Sequence, residues 1–92
     1  MKNESKEIEN REKLSGAIAD LDSVIHKTQG KKKMKTMLSE VIAMLNDEDS
    51  SMSIRAANAI SSLEYVTQSP WLEPYQRISI WQAVSRLESI RE

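Results

Sequence analysis

The sequence predicts an all-α protein of four helices, arranged as two antiparallel helical hairpins related by an internal repeat. Three observations predict it. Glycine occurs only twice and phenylalanine not at all, while Ala, Leu, Ile, Met, Glu and Lys are abundant, a composition that favours helix. Apolar residues recur in steps of three and four along four separate stretches, the spacing that gathers them on one face of a helix. Finally, sliding the chain against itself by 42 residues brings its halves into register without a gap.

The first helix is expected to start at Ser5, a capping residue, with Glu7 and Glu9 in the first turns, where negative charge suits the helix dipole. Its apolar stripe is Leu14, Ala17, Ile18, Leu21, Val24 and Ile25. Gly16 sits inside it at a cost of about 1 kcal/mol against alanine, so it marks a bend or a close approach of two backbones. Gly30 suits the left-handed conformation that ends many helices. Met34, Met37, Leu38, Val41, Ile42 and Leu45 form the second stripe, with Met34, Met37 and Met44 read as flexible core filling. The acidic–serine run Asp47 to Ser51 reads as an exposed turn.

Ser51 or Ser53 then caps a third helix whose expected apolar side is Ile54, Ala57, Ile60, Leu63 and Val66. Pro70 stops it, because proline lacks the amide donor and restricts Ser69 before it. Pro74 suits the first turn of the fourth helix. There Ile78, Ile80, Trp81, Ala83, Val84, Leu87 and Ile90 spread over more than one narrow stripe, so contacts on two sides are expected.

The repeat is carried by AIADLDSV (Ala17 to Val24) falling on AISSLEYV (Ala59 to Val66), with Ala17, Ile18, Leu21 and Val24 matched identically. Leu38 meets Ile80, Ile42 meets Val84, and Leu45 meets Leu87. Residues 1–92 are accordingly read as one domain, with the repeats at about 5–47 and 51–91. A two-helix unit with a period near 40 fits either a HEAT-like stack or a compact bundle. Two units leave apolar ends, which Lys6 to Leu14 and self-association would cover.

Composition bounds the function. With no cysteine there is no disulfide, thiolate metal site or cysteine nucleophile, which fits the cytoplasm. No apolar run approaches the roughly 18 residues of a membrane span, and MKNESKEIENREK lacks the apolar centre of a secretory signal. A formal charge of −1 argues against a polycationic nucleic-acid binder. The only histidine, His26, has no triad or metal partner in view and suits a helix C-terminus. No phosphate-binding loop, dinucleotide fingerprint or two-histidine zinc motif occurs, and Asp47-Glu48-Asp49 lacks the ligand alternation of a calcium loop. The chain is therefore read as non-enzymatic, with no cofactor, metal or small-molecule substrate.

Two features carry partner readings. Lys27, Lys31, Lys32, Lys33 and Lys35 cluster around the first turn. They offer phosphate contacts for RNA or DNA, or simply complement a helix C-terminus; no aromatic lies among them to stack a base. Trp71, Leu72 and Tyr75 flank the prolines of the second hairpin's loop. They either form an exposed protein-binding anchor or fold back over the end of the core. Trp81 is expected in the core, with Arg77 over its ring or paired with a carboxylate.

The run RAANAISSLE, a Pro-containing loop, and then Arg77, Trp81, Ser85, Leu87 and Glu88 resembles uncharacterised protein family 0147, a family of small archaeal proteins. Ser69 stands where the family pattern has Asp, and Gly30-Lys31 where it has Val-Pro. The resemblance implies a compact all-helical protein and brings no known activity. The resulting expectation is a helical interaction module that binds a protein or self-associates through Trp71, Leu72, Tyr75, Arg77, Ile78 and Trp81. The alternative is a nucleic-acid accessory protein working through Lys27 to Lys35.

Overall fold

The computed structural model describes residues 4–27, 32–70 and 72–90. These form four helices: α1 (Glu4–Lys27), α2 (Lys32–Leu45), α3 (Met52–Thr67) and α4 (Pro74–Glu88). No strand occurs among the described residues, so the chain is all-α as expected.

Each helix buries one stripe with alternating steps of four and three. In α1 it is Asn10, Leu14, Ala17, Leu21 and Val24; in α2 Met34, Leu38, Val41 and Leu45. In α3 it is Ala56, Ala59, Leu63 and Val66, and in α4 Gln76, Ile80, Ala83 and Leu87. Such a stripe averages 3.5 residues per turn and stays on one face as neighbouring helices wind around each other. The expected α3 stripe is corrected here, because Ile54 and Ala57 are exposed. A run of three-residue steps falls about 60° short of a full turn each time, so Ile54–Ala57–Ile60–Leu63–Val66 drifts around the helix. Only its last members reach the core.

Consecutive helices touch, α4 closes back onto α1 along the most extensive seam, and α1 meets α3 across the middle. Among the described residues α2 and α4 do not meet. Hydrogen bonds define the direction of the α1–α4 seam. Lys13 Nζ donates to the Ser89 carbonyl (2.8 Å), Arg86 Nε to Asp20 Oδ2 (2.9 Å), and the Tyr75 hydroxyl to the Lys27 carbonyl (3.4 Å). As one number climbs the other falls, so the two helices are antiparallel. The α2–α3 seam runs likewise, with Ser62 Oγ against Met44 Sδ (3.9 Å) and Arg55 Nη1 against the Leu45 carbonyl (3.5 Å). The result is a rod of 47 × 22 × 20 Å.

Burial repeats at the offset found in the sequence. Leu14, Ala17, Leu21 and Val24 correspond to Ala56, Ala59, Leu63 and Val66, and Met34, Leu38, Val41 and Leu45 to Gln76, Ile80, Ala83 and Leu87; every one is buried. Ala17 and Ala59 are fully buried at equivalent places on α1 and α3, and short side chains permit helices to pass closely. The cations at the helix ends are duplicated as well. Lys13 reaches the Ser89 carbonyl beyond α4, and its equivalent Arg55 reaches the carbonyls of Leu45, the last residue of α2, and of Ser50 beyond it (2.8 Å).

The ends are built locally. Ser51 caps α3, its Oγ accepting from the Ile54 amide at 3.2 Å. Ser5, expected as the cap of α1, instead lies inside a helix that begins at Glu4. Pro74 opens α4 after Glu73, whose side chain accepts from the Gln76 amide while Gln76 Oε1 accepts from the Glu73 amide (2.9 Å). This reciprocal pair satisfies two donors that a helix start leaves open. It also explains a polar residue at a core position. The expected helix-ending role of Gly30 falls outside the described residues.

Leu21 and Leu63 are both fully enclosed. Either Leu→Ala change should cost about 2–5 kcal/mol, whereas Ile54→Ala, 54% exposed, should stay within about 0.5 kcal/mol. Urea unfolding monitored by circular dichroism reads both.

Candidate functional site

With its core face accounted for, α4 turns Ile78 and Trp81 outward, at 55% and 56% exposure. The expectation of a core Trp81 is thereby corrected. The buried stripe passes through Ile80 and Ala83, and residue 81 lies about 100° around the helix from residue 80. Trp81, Ile78, Gln82, Ser85 and Arg86 line a shallow depression along this face. The offset of 42 shows what the fold itself requires there. The positions equivalent to Ile78, Trp81 and Ser85 are Thr36, Ser39 and Ala43 on α2, all exposed. A polar or small side chain therefore suffices, and the bulk on α4 is not a demand of the core.

Leu72 is corrected too. It is 6% exposed and belongs to the core cluster, its amide bonded to the Ser69 carbonyl at 3.3 Å. The loop after Pro70 thus folds Leu72 back over the end of the helices. Trp71 lies outside the described residues. Arg77 is half-buried and its Nη2 donates to the Ser69 carbonyl at 3.3 Å, so it ties the loop to α4 in place of the expected contact with a ring or carboxylate.

The structure brings together what the sequence keeps 48 positions apart. Tyr75, 41% exposed, bonds to the Lys27 carbonyl at 3.4 Å, so the lysine turn and the start of α4 share one end of the rod. Lys27, Lys32 and Lys33 are exposed there and Lys35 is half-buried; Lys31 lies outside the described residues. Tyr75, remote in sequence, is thus the aromatic that the fold brings to the end of the rod carrying these lysines. Among the described residues, the carboxylates Asp22, Glu64 and Glu73 lie toward this end. Asp22 lies 3.4 Å from His26 Nδ1, and the Glu73 side chain caps α4. His26 Nδ1 is also 2.9 Å from the Asp22 carbonyl.

The two seams differ in chemistry at matching places. On α1–α4, Arg86 spans to Asp20, and a Cβ on Gly16 would stand 2.9 Å from Arg86 Nη1 and 3.1 Å from its Cδ. The approach that Gly16 permits is that of an arginine side chain, rather than of two backbones. On α2–α3 the equivalents of Arg86 and Asp20 are Met44 and Ser62. That seam carries a groove lined by Met37, Val41, Met44, Ser62, Tyr65 and Val66. Met34 is core, Met37 packs against it, and Met44 is 37% exposed, so the expected filling role holds for the first two and is corrected for Met44.

A recess of about 720 Å³ between the first half of α1 and the α2–α3 turn holds charges of both signs. Within it Glu7 and Arg11 pair at 3.2 Å, and Arg55 is engaged by carbonyls. Among the described residues no group of three or more His, Asp or Glu could hold a metal ion, and no helix is long and apolar enough to cross a membrane.

Core, seams and caps define a small all-α protein built from four helices. The chain belongs to the uncharacterised protein family UPF0147, which it matches over residues 1–90. It is similar to UPF0147 proteins of archaea. That of Metallosphaera sedula is 37% identical over 84 residues, covering 91% of this chain and 94% of the relative. Those of Sulfurisphaera tokodaii and Aeropyrum pernix are each 34% identical over 84 residues, covering 91% of this chain and 94% and 92% of the relatives. No solved structure matches the chain.

Gly16 and Arg86 generate a test of the ionic seam. An alanine gains helix propensity of about 1 kcal/mol over glycine, but its Cβ displaces Arg86 from a half-exposed bridge worth about 0–1 kcal/mol. Gly16→Ala should therefore be close to neutral alone and stabilising by about 1 kcal/mol in an Arg86→Ala background. Thermal unfolding of the four-protein cycle measures it.

Proposed function

We propose that this chain is a non-enzymatic helical interaction module whose contact surface is the outward face of α4, centred on Ile78 and Trp81. The observation that supports it is the contrast between equivalent positions: Thr36 and Ser39 serve the same frame on α2. Keeping a half-exposed tryptophan and isoleucine side by side in water costs solubility without serving the core. Tryptophan is the side chain that contributes most often to protein contact energies. The frame behind the face is read as a duplicated antiparallel hairpin. The ring of contacts α1–α2–α3–α4–α1, with α2 and α4 apart, favours a closed bundle over a HEAT-like stack, in which successive hairpins lie alongside one another.

A second reading rests on a separate observation, the meeting of Tyr75 with Lys27 beside Lys32 and Lys33. A partly exposed ring at the same end as exposed lysines is the combination that serves single-stranded nucleic acid by stacking and phosphate contact. It ranks second because the formal charge of the chain is −1 and the cluster has no arginine for base-edge contacts.

Trp81→Ser and Ile78→Thr place the first repeat's own side chains on α4, so the fold should survive with a melting temperature changed by about 5 °C or less. The pair should weaken protein association at least about tenfold, since truncating one anchoring residue costs about 2 kcal/mol or more. Calorimetry or pull-down with nuclease-treated extract checks this, and unchanged association contradicts the α4 reading. A complex that dissolves with nuclease, weakens steeply with salt and is lost on Lys32→Glu with Lys33→Glu supports the second reading instead.

A further inference from the structure

We infer that the α4 face takes a cationic amphipathic helix, its apolar side seated on Ile78 and Trp81 and its lysine or arginine flank set against Glu64 and Glu88. The inference rests on the α4 face being the contact surface, and it goes further by giving the shape and charge of what binds there.

The apolar centre sets the shape. At about 100° per residue, Pro74, Ile78, Trp81, Ser85 and Glu88 fall on the side of α4 opposite its buried stripe, and all five are exposed. They form one straight track, on which Ile78 and Trp81 stand up and Ser85, one turn on, leaves a hollow. A second helix laid along such a track meets it through side chains at steps of three and four.

Charge sets the chemistry. Glu88 lies on the same track, seven residues or about 10 Å beyond Trp81 along the axis. Glu64 comes from α3. Arg55 and Ser62 define the side of α3 that meets α2, and Glu64, about 200° on from Ser62, is exposed on the other side, toward α4. Among the described residues neither carboxylate has an ion pair. Both stand in the last turn of their helices, where the helix dipole disfavours negative charge. The first repeat treats the equivalent positions differently. Asp22 has His26 at 3.4 Å and Lys27 in the last turn of α1, and Asn46 is neutral. Helix stability therefore explains neither glutamate.

The chain supplies no cation of its own to this flank. Every lysine precedes residue 36. The described arginines of α3 and α4 are engaged, Arg55 with the carbonyls of Ser50 and Leu45, Arg77 with that of Ser69, and Arg86 with Asp20. Lys27 adjoins Tyr75 on the α1 side of α4, away from Glu64. The α3 flank of the apolar track is thus acidic and unneutralised. A cationic flank on the partner complements it and fixes which way the partner lies, while the apolar centre supplies most of the affinity.

Titration of dye-labelled synthetic peptides with the full chain, read by fluorescence anisotropy, tests the inference. The probes are two amphipathic peptides of about 18 residues, long enough to hold a helix, one built of leucine and lysine and the other of leucine and glutamate. The result expected is that the lysine peptide binds at least about tenfold more tightly and that salt weakens it. Glu64→Gln with Glu88→Gln should weaken it about fivefold, and Trp81→Ser at least about tenfold. Glu40→Gln, at an exposed carboxylate of α2, should leave it unchanged. Both glutamates are exposed and glutamine keeps their shape, so this comparison decides the matter even if Trp81→Ser impairs folding.

Equal affinity for the two peptides overturns the inference, as does binding that ignores the glutamine pair or falls equally with Glu40→Gln. If peptide binding ignores Trp81→Ser while association with a protein of nuclease-treated extract is lost with it, the cationic helix falls and the α4 contact surface stands. If neither responds to Trp81→Ser, both fall.

Discussion

The structure depends on one packing constraint: each of four helices must bury a stripe spaced by fours and threes against two neighbours at once. Ala17, Leu21 and Val24 on α1 and Ala59, Leu63 and Val66 on α3 meet it with the same side chains at the same places, all of them enclosed. Helix α2 meets it with Leu38 and Leu45, and α4 with Ile80 and Leu87 at the equivalent places. At about 1.5–3 kcal/mol for each large apolar side chain buried, these positions outweigh any surface bridge in the molecule. The polar devices around them, from the Ser51 cap to the carbonyl contacts of Lys13 and Arg55, direct where helices end.

The recurrence of burial at an offset of 42 also separates what the frame requires from what has been added to it. Where equivalent positions agree, the residue is explained by packing. Where they differ in kind, another cause is needed. Arg86 and Asp20 stand where the other seam has Met44 and Ser62, and both seams close, so neither chemistry is obligatory. The same comparison isolates Ile78 and Trp81, whose equivalents Thr36 and Ser39 sit in water as polar side chains should. Tyr75, equivalent to Lys33, marks a third divergence and brings a ring to the lysine end.

Much of the fold was legible because helical periodicity and the 42-residue offset are local or self-comparing signals. All four helices appear near their expected places; Pro74 opens α4 as expected, and Ser51, one of the two expected caps, opens α3. Strict three-residue steps pointed to Ile54 and Ala57 as core because such steps drift around the helix. Trp81 was expected in the core, and the loop position of Leu72 left it either exposed or folded back over the core. Helical phase turns the first outward, and the folding back of the loop after Pro70 buries the second. Comparing Trp81 with Ser39 across the repeat would have exposed the error from the sequence alone. Gln76 in the core was legible only through its equivalent Met34, and its reciprocal cap with Glu73 is what makes a polar side chain tolerable there. The meeting of Tyr75 with Lys27 was beyond reach for want of any local signal across 48 positions.

What joins frame and surface is the claim that α4 serves two roles, with Ile80, Ala83 and Leu87 facing inward and Ile78 and Trp81 offered to a protein partner. A photo-crosslinking side chain placed at Gln82, beside Trp81, and in a second variant at its exposed α2 equivalent Glu40, tests it most directly in nuclease-treated extract. The account predicts protein adducts from position 82 and few or none from position 40. Equal adducts at the two positions, or none at position 82, would contradict it.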